Sequence, residues 1–499
     1  MRRGGFGGAA AFGLLLALAR ADLAPEEWEA ARKEAALLAA QAGELERKLD
    51  LVHVLGREDS ARAARLLLDL AEPASARQHD LSGRVAKASE EFARIDRQLR
   101  KKHGVDAALD EDPRWRKRRE TLVGLRQELS AESAVLDAIG SAFATIRTRE
   151  GVAVLLDAAR LPSSEVRRGA LEALLGQPGE SHVDAILGLL PAAPVRVLDW
   201  IGARRVRKGL DAAASCLLAE ESAVARAAVA ALRALDDPRA VPPLVAARRK
   251  ASGLLAEEIE LALFHFTGRQ FQGAGADAMW EGWWRAEGEE WLRTAGTERH
   301  AGAVRRGDTD FYGIETRSER IVFVLDRSGS MEESGKLATA KGHLERTIRG
   351  LAPGVKFAVV FYNQEARAWQ KPPLMVPATP DQKRKAIAWF ATLPPQGATA
   401  MFPALAEALR YAKVGGGASP TDPKGADTIF LLTDGAPTDA DGKALADDAR
   451  EAAIRAFLEA NRELKCVVHA IGVGPDHNVE LMMRLARETG GVYKAVGTE

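Results

Sequence analysis

Three segments place oxygen-bearing side chains where apolar runs stop. In residues 321–331, IVFVLDRSGSM, five apolar residues lead straight into Asp326, Ser328 and Ser330. A short continuous apolar run bounded by a Gly/Ser turn predicts a buried parallel strand. The polar residues then fall at its carboxyl end, the edge of an open α/β sheet where ligands bind. One carboxylate and two hydroxyls at alternate positions can converge on a single point. Hard oxygen donors of this kind suit Mg²⁺, which takes near-octahedral geometry and keeps part of its water shell.

Two later segments add to the set. Residues 397–400, Gly-Ala-Thr-Ala, form a loop before a helical run and offer the Thr399 hydroxyl. Residues 428–433, TIFLLT, are a second buried-strand run, ending on Asp434-Gly435. Asp326 and Asp434 brought together would repel, and a divalent cation would relieve the conflict. On that ground Asp434→Ala is expected to leave the metal-free domain as stable as wild type or more so. The plainer alternative is that Asp326 and Ser328 only cap a turn or helix.

Asp326, Ser328, Ser330, Thr399 and Asp434, in this order and strand context, resemble the von Willebrand factor type A (VWA) domain and its metal-ion-dependent adhesion site. The resemblance covers roughly the last third of the chain. It implies a doubly wound, Rossmann-like α/β domain that binds Mg²⁺, or Mn²⁺ or Ca²⁺ in its place. It further implies two directly coordinating serines and one metal position left for an acidic residue of a protein partner.

Other chemistries are disfavoured. Residues 329–336, GSMEESGK, imitate a phosphate loop, but five residues separate the glycines and Leu337 follows the lysine. The nine histidines show no paired zinc spacing. There is no G-x-S-x-G elbow. Lys+Arg and Asp+Glu are both 70, so the formal net charge is zero, unlike most nucleic-acid binders. The two cysteines, Cys216 and Cys466, read as buried apolar residues. The expectation is a binding protein and no enzyme.

The elements that must position the site alternate strand and helix. Strands are expected over 320–325, 356–362, 366–370 (an antiparallel edge), 428–432, 466–473 and 492–496. Helices are expected over 336–351, 380–391, 401–412, 441–461 and 479–488. Residues 311–314 read as an entry segment packed onto this domain, and Gly490-Gly491 as a helix-ending turn.

At 499 residues the chain is expected to hold several domains. Arg2, Arg3, the apolar stretch 9–19 and Ala19-Arg20-Ala21 fit a secretory signal over 1–21, with Asp22 the first mature residue. An uncleaved anchor is the alternative. Export to the secreted, periplasmic or envelope fraction follows, with no membrane insertion after cleavage. Residues 22–133 and the positions just beyond them carry a/d-type seams: Leu38, Ala42, Leu45, Leu49 and Val52; Leu81, Val85, Ala88, Phe92, Ile95 and Leu99; Leu122, Leu125, Leu129 and Leu136. Breaks near Pro73 and Gly104 predict helical hairpins, with a dimeric coiled coil as the competitor.

Over 134–293, Val166, Val195 and Val224 recur 29 residues apart. The paired helices resemble short HEAT-like repeats of an α-solenoid. Pro242-Pro243 fit a helix only in its first turn. Trp280, Trp283, Trp284 and Trp291 at helical spacing read as a bulky cap that seals the last repeat, or docks it onto the next domain, rather than an aromatic binding patch. Residues 294–318 are expected to form a linker and entry segment, and 319–499 the VWA domain. The fold class is therefore all-α followed by α/β. Two functions compete: metal-dependent recognition of an acidic protein partner, or a helical assembly scaffold in which the metal only stabilises the α/β domain.

Overall fold

A computed structural model describes residues 44–57, 59–103, 109–161, 164–177, 182–271, 275–294, 299–300, 309–370, 374–413, 425–439 and 442–497, with isolated positions between 29 and 38. The expected signal over 1–21, and residues 295–298 and 301–308 of the expected linker and entry segment, lie outside the described residues. Among those described, no helix is long and apolar enough to cross a membrane. The chain divides between Ala193 and Pro194 into two compact units.

The first unit is helical: α1 (Leu45–Leu55), α2 (Ala61–His103), α3 (Pro113–Phe143), α4 (Arg149–Ala158), α5 (Ser164–Leu175) and α6 (Val183–Leu187). Helices α2 and α3 form an antiparallel hairpin. Arg77 pairs with Glu132, Glu91 with Arg118, and the Trp115 indole donates to Asp96. Asp112 caps α3 by accepting from the Arg114 and Trp115 amides, with Pro113 in the first turn.

The expected break at Pro73 is absent, since Pro73 lies inside the continuous helix α2. Leu66, Leu67, Leu70, Ala71 and Ala74 around it are all buried. Packing on that scale offsets the roughly 3 kcal/mol that an interior proline costs. The first seam also shifts: Lys48, Leu51, Val52 and Leu55 are buried, whereas Leu45 and Leu49 are only half-buried. Lys48 is drawn inward by Glu132, its Nζ 3.4 Å from Oε1.

The second unit begins with α7 (Pro194–Arg204), α8 (Leu210–Ser215), α9 (Ser222–Leu235), α10 (Val241–Arg248), α11 (Gly253–Thr267) and α12 (Ala276–Thr294). Val195 and Val224 are buried near the starts of α7 and α9, and Val166 is buried in α5 of the first unit. Pro242 and Pro243 fall in the first turn of α10, where a missing N–H costs nothing. Trp280 and Trp283 are buried, and Phe271, Trp280, Trp283 and Trp291 meet edge to face in succession. That arrangement is a packed aromatic cluster. Within the expected linker and entry segment, His300 donates its amide to the His265 carbonyl and Arg299 pairs with Asp236.

The α/β part follows: β1 (Thr309–Phe311), β2 (Ile314–Thr316), β3 (Arg320–Asp326), α13 (Lys336–Gly350), β4 (Lys356–Tyr362), β5 (Ala366–Ala368), β6 (Val376–Pro377), α14 (Pro380–Ala391), α15 (Met401–Ala412), β7 (Thr428–Thr433), α16 (Asp447–Arg462), β8 (Val467–Val473), α17 (Val479–Thr489) and β9 (Tyr493–Val496). The sheet order is β5-β4-β3-β7-β8-β9, with β6 also on β4. Strands β4, β3, β7, β8 and β9 run parallel, and β5 is the antiparallel edge.

Alternate residues of β3 serve two cores. Ile321, Phe323 and Leu325 pack with Leu344 and Ile348 of α13 and Phe390 of α14. Val322 and Val324 face Leu405 of α15, Phe457 of α16 and Leu485 of α17. Both faces are covered, which is why β3 reads as one continuous apolar run. Gly490 closes α17 in the left-handed conformation at φ 79°.

Three differences from expectation have local causes. Residues 311–314 close a hairpin, β1–β2, rather than a plain entry segment. Tyr312 and Gly313 take φ of 55° and 72°, as a two-residue primed turn requires. Helix α16 starts at Asp447 instead of 441, because Thr438 and Ala444 pair as an isolated bridge in the preceding loop. Strand β6 is two residues long and carries no pattern to read.

The helical part of this unit is bonded to the α/β part at the amino edge of the sheet, around the turn between α16 and β8. Buried Arg196 pairs with Glu459 and Glu463. Buried Arg226 donates to Glu258 at 2.7 and 2.9 Å and to the Lys465 carbonyl at 2.6 Å. Lys465 Nζ reaches Asp199 at 2.7 Å.

Candidate metal centre

Strands β3 and β7 are neighbours, so their carboxyl ends bring Asp326 beside Thr433 and Asp434. Asp326 is fully buried. Its Oδ1 accepts from the Ser328 amide at 2.8 Å and its Oδ2 from the Thr433 hydroxyl at 2.6 Å. The Ser328 and Ser330 hydroxyls are 3.1 Å apart, and Ser330 donates to Asp434 Oδ1 at 2.8 Å. These four expected residues therefore form one connected polar chain at the sheet edge.

Thr399 arrives on the third loop. That loop is clamped to β4: the Ala400 amide donates to the Asn363 carbonyl and the Asn363 side chain donates to the Gln396 carbonyl. It is tied to the serine loop by the Gly329 amide, which donates to the Gly397 carbonyl at 2.8 Å. Gly397 sits at φ 80°, where a side chain would be strained and would strike Gln364. The Thr399 amide donates to the Thr438 hydroxyl at 3.0 Å, and its own hydroxyl lies beside Gly435. All five residues expected from the sequence thus stand at one edge, with Thr399 beside Gly435 rather than bonded into the chain.

Lys336 was not anticipated as part of this edge. Its Nζ is 2.9 Å from Asp434 Oδ2, with the two side chains 5% and 0% exposed. The GSMEESGK stretch that imitates a phosphate loop instead forms a 3₁₀ segment, Gly329–Gly335. Ser334 and Gly335 leave it with φ of 51° and 66°, and so deliver Lys336 to the site at the first position of α13. The signal available in the sequence was only a lysine placed at a helix start, where the dipole disfavours a cation.

The charges are unequal. Burial pushes the Asp326 carboxyl up to about 6, only partly opposed by the Thr433 and Ser328 bonds, and the Asp434 charge adds to the rise. Burial works to lower the Lys336 ammonium, but the bond and charge of Asp434 outweigh it and raise it. Asp434 is thus matched by a lysine. Asp326 has no lysine or arginine partner among the described residues. The reading that Asp434→Ala merely relieves repulsion is corrected here, because Asp434 is an ion-pair partner. The donor set, two carboxylates and three hydroxyls with one carboxylate buried and uncompensated, fits a hard divalent cation.

Of the other singled-out groups, Cys216 is only half-buried, not buried as expected. Cys466 is buried, donates to the Ala426 carbonyl at 3.1 Å, and has its thiol pushed up to about 12 by burial. His265, near the end of α11, sits 3.2 Å from Asp236.

Residues 319–495 match the family model described as von Willebrand factor type A domain, and this part of the chain is a VWA domain. Inter-alpha-trypsin inhibitor heavy chain H4 of Homo sapiens is 26% identical over 186 residues, 37% of this chain and 19% of its own length. Heavy chain H2 of Homo sapiens is 25% identical over 178 residues, 36% of this chain and 18% of its own. The chain thus spans about a fifth of the length of the curated relatives it matches. Among solved structures, a von Willebrand factor type A protein from Catenulispora acidiphila is 25% identical with a TM-score of 0.30, covering 37% of this chain and 40% of that one.

Proposed function

We propose that the α/β domain is a metal-dependent recognition module of an exported protein. Asp326, Ser328, Ser330, Thr399 and Asp434 would hold Mg²⁺, or Mn²⁺ or Ca²⁺, and a carboxylate of a protein partner would complete the site. The observation that carries this reading is the convergence of these five oxygen donors from three loops at one sheet edge, with Asp326 buried and lacking a cationic partner among the described residues.

When bound, the cation supplies positive charge for Asp326 and a position for an outside oxygen. This chain's own residues do the rest. Thr433 and the Ser328 amide orient Asp326, Ser330 orients Asp434, and Asn363 and Thr438 hold the Thr399 loop. The wider proposal keeps a signal over 1–21, helical hairpins over 22–133, HEAT-like repeats over 134–293, an entry segment over 294–318 and the VWA domain over 319–499.

The scaffold reading has one observation in its favour. Arg196, Arg226 and Lys465 bond the helical part to the amino edge of the sheet, so both parts of the unit can present one surface. Calorimetric titration of Mg²⁺ into the wild-type chain and Ser330→Ala tests the metal. Wild type should bind, with the variant weakened. Equal binding by both, or none by wild type, removes the metal reading. Partner capture from the exported fraction that survives a chelator, with the fold intact, would move the assignment to the scaffold.

A further inference from the structure

We propose that Lys336 is a tethered competitor for the candidate metal position: its ammonium holds Asp434 when no cation is bound, and it weakens the uptake of one. The inference rests on the metal reading above and adds a residue that reading does not contain.

The lysine is built into the site. It is the first residue of α13, a helix with no capping side chain and no acidic residue in its first turn. A cation there opposes the helix dipole, and burial of its side chain opposes it again. Two consecutive left-handed residues, Ser334 and Gly335, are needed to bring the chain to that start. What compensates is the contact with Asp434 at 2.9 Å, the shorter of the lysine's two ion pairs.

The contact takes what a metal would need. Asp434 Oδ1 accepts from Ser330 and Oδ2 from Lys336, so both carboxylate oxygens are already engaged. A divalent cation drawing on the same carboxylate meets the ammonium across a short, water-poor distance, where like charges repel strongly. The ammonium also has somewhere to move. Glu333, well exposed, lies 3.6 Å from Nζ, and Lys336 borders an open groove of about 970 Å³ that also carries Tyr312, His343 and Lys494. A lysine stem is long and flexible enough to change partners without moving the backbone.

The test is calorimetric titration of Mg²⁺ into the full chain as wild type, Lys336→Met and Lys336→Arg, with thermal melts in chelator and in excess Mg²⁺. Removing the charge should tighten Mg²⁺ binding at least about tenfold, lower the melting temperature in chelator and enlarge the shift that Mg²⁺ produces. Lys336→Arg keeps the charge and should bind as weakly as wild type. A merely structural lysine predicts the opposite pattern, with affinity unchanged or reduced in Lys336→Met. Should Lys336→Met unfold in chelator, the Mg²⁺ concentration that refolds it replaces the titration, with Lys336→Gln as a second uncharged variant. Equal Mg²⁺ affinity in wild type and Lys336→Met, with binding lost in Asp434→Ala, overturns the competitor and leaves the metal site standing. Absence of binding in wild type and in every Lys336 variant overturns both.

Discussion

Asp326 and Thr433 are joined at the ends of two neighbouring parallel strands, with the Thr433 hydroxyl 2.6 Å from Asp326 Oδ2 and both residues fully buried. The bond orients a carboxylate that has no cationic partner among the described residues. It offsets only part of the burial cost, which is why the Asp326 carboxyl stays raised to about 6.

That shift gives a pH dependence of definite sign. Between the ordinary carboxylate value and about 6, folded Asp326 holds its proton while the unfolded chain has released it. The contribution of Asp326 to stability is therefore present below about pH 4 and is lost as pH rises through about 6. Buried Asp427 is raised by burial as well and adds the same sign. In chelator, Asp326→Asn should melt with a smaller loss between pH 4.5 and 7 than wild type. Identical pH profiles would show that Asp326 is not the buried acid described.

Asp434 and Thr399 should separate by charge. Asp434→Ala removes the shorter of the two Lys336 ion pairs, and because the ammonium can turn to the exposed Glu333 it should destabilise the metal-free protein by about 1–2 kcal/mol. Thr399→Ala removes one hydroxyl while its backbone bonds to Thr438 remain, and should cost about 1 kcal/mol. The double variant Asp434→Ala/Lys336→Met should recover much of the first loss. Additive losses in chelator melts would mean that the ion pair is not the source.

Arg226 is buried and serves Glu258 and the Lys465 carbonyl together. Arg226→Ala should destabilise the second unit by about 3 kcal/mol. Arg226→Lys should recover little, because one ammonium cannot reproduce the fork. Tryptophan-fluorescence melts report both parts of the unit, and an unshifted transition in Arg226→Ala would refute the buried-anchor role.

The sequence by itself determined the parts that local pattern encodes. Continuous apolar runs specified β3, β4 and β7, because a strand buried on both faces has no polar side to show. Helices α14 and α15 begin and end where their patterns indicated, with Thr379 and Pro380 marking the start of α14. The five candidate residues stand out in the sequence because each lies where such a run stops or a Gly-containing loop turns. Tertiary structure decided what depends on partners distant in sequence. Lys336 meets Asp434 across 98 positions, and Arg196 meets Glu463 across 267. No local pattern distinguishes such a lysine or arginine from a solvated one. Pro73 marks the opposite limit. Its local signal is a helix break, yet α2 runs through it, because burial of Leu67, Leu70 and Ala74 outweighs one missing backbone bond.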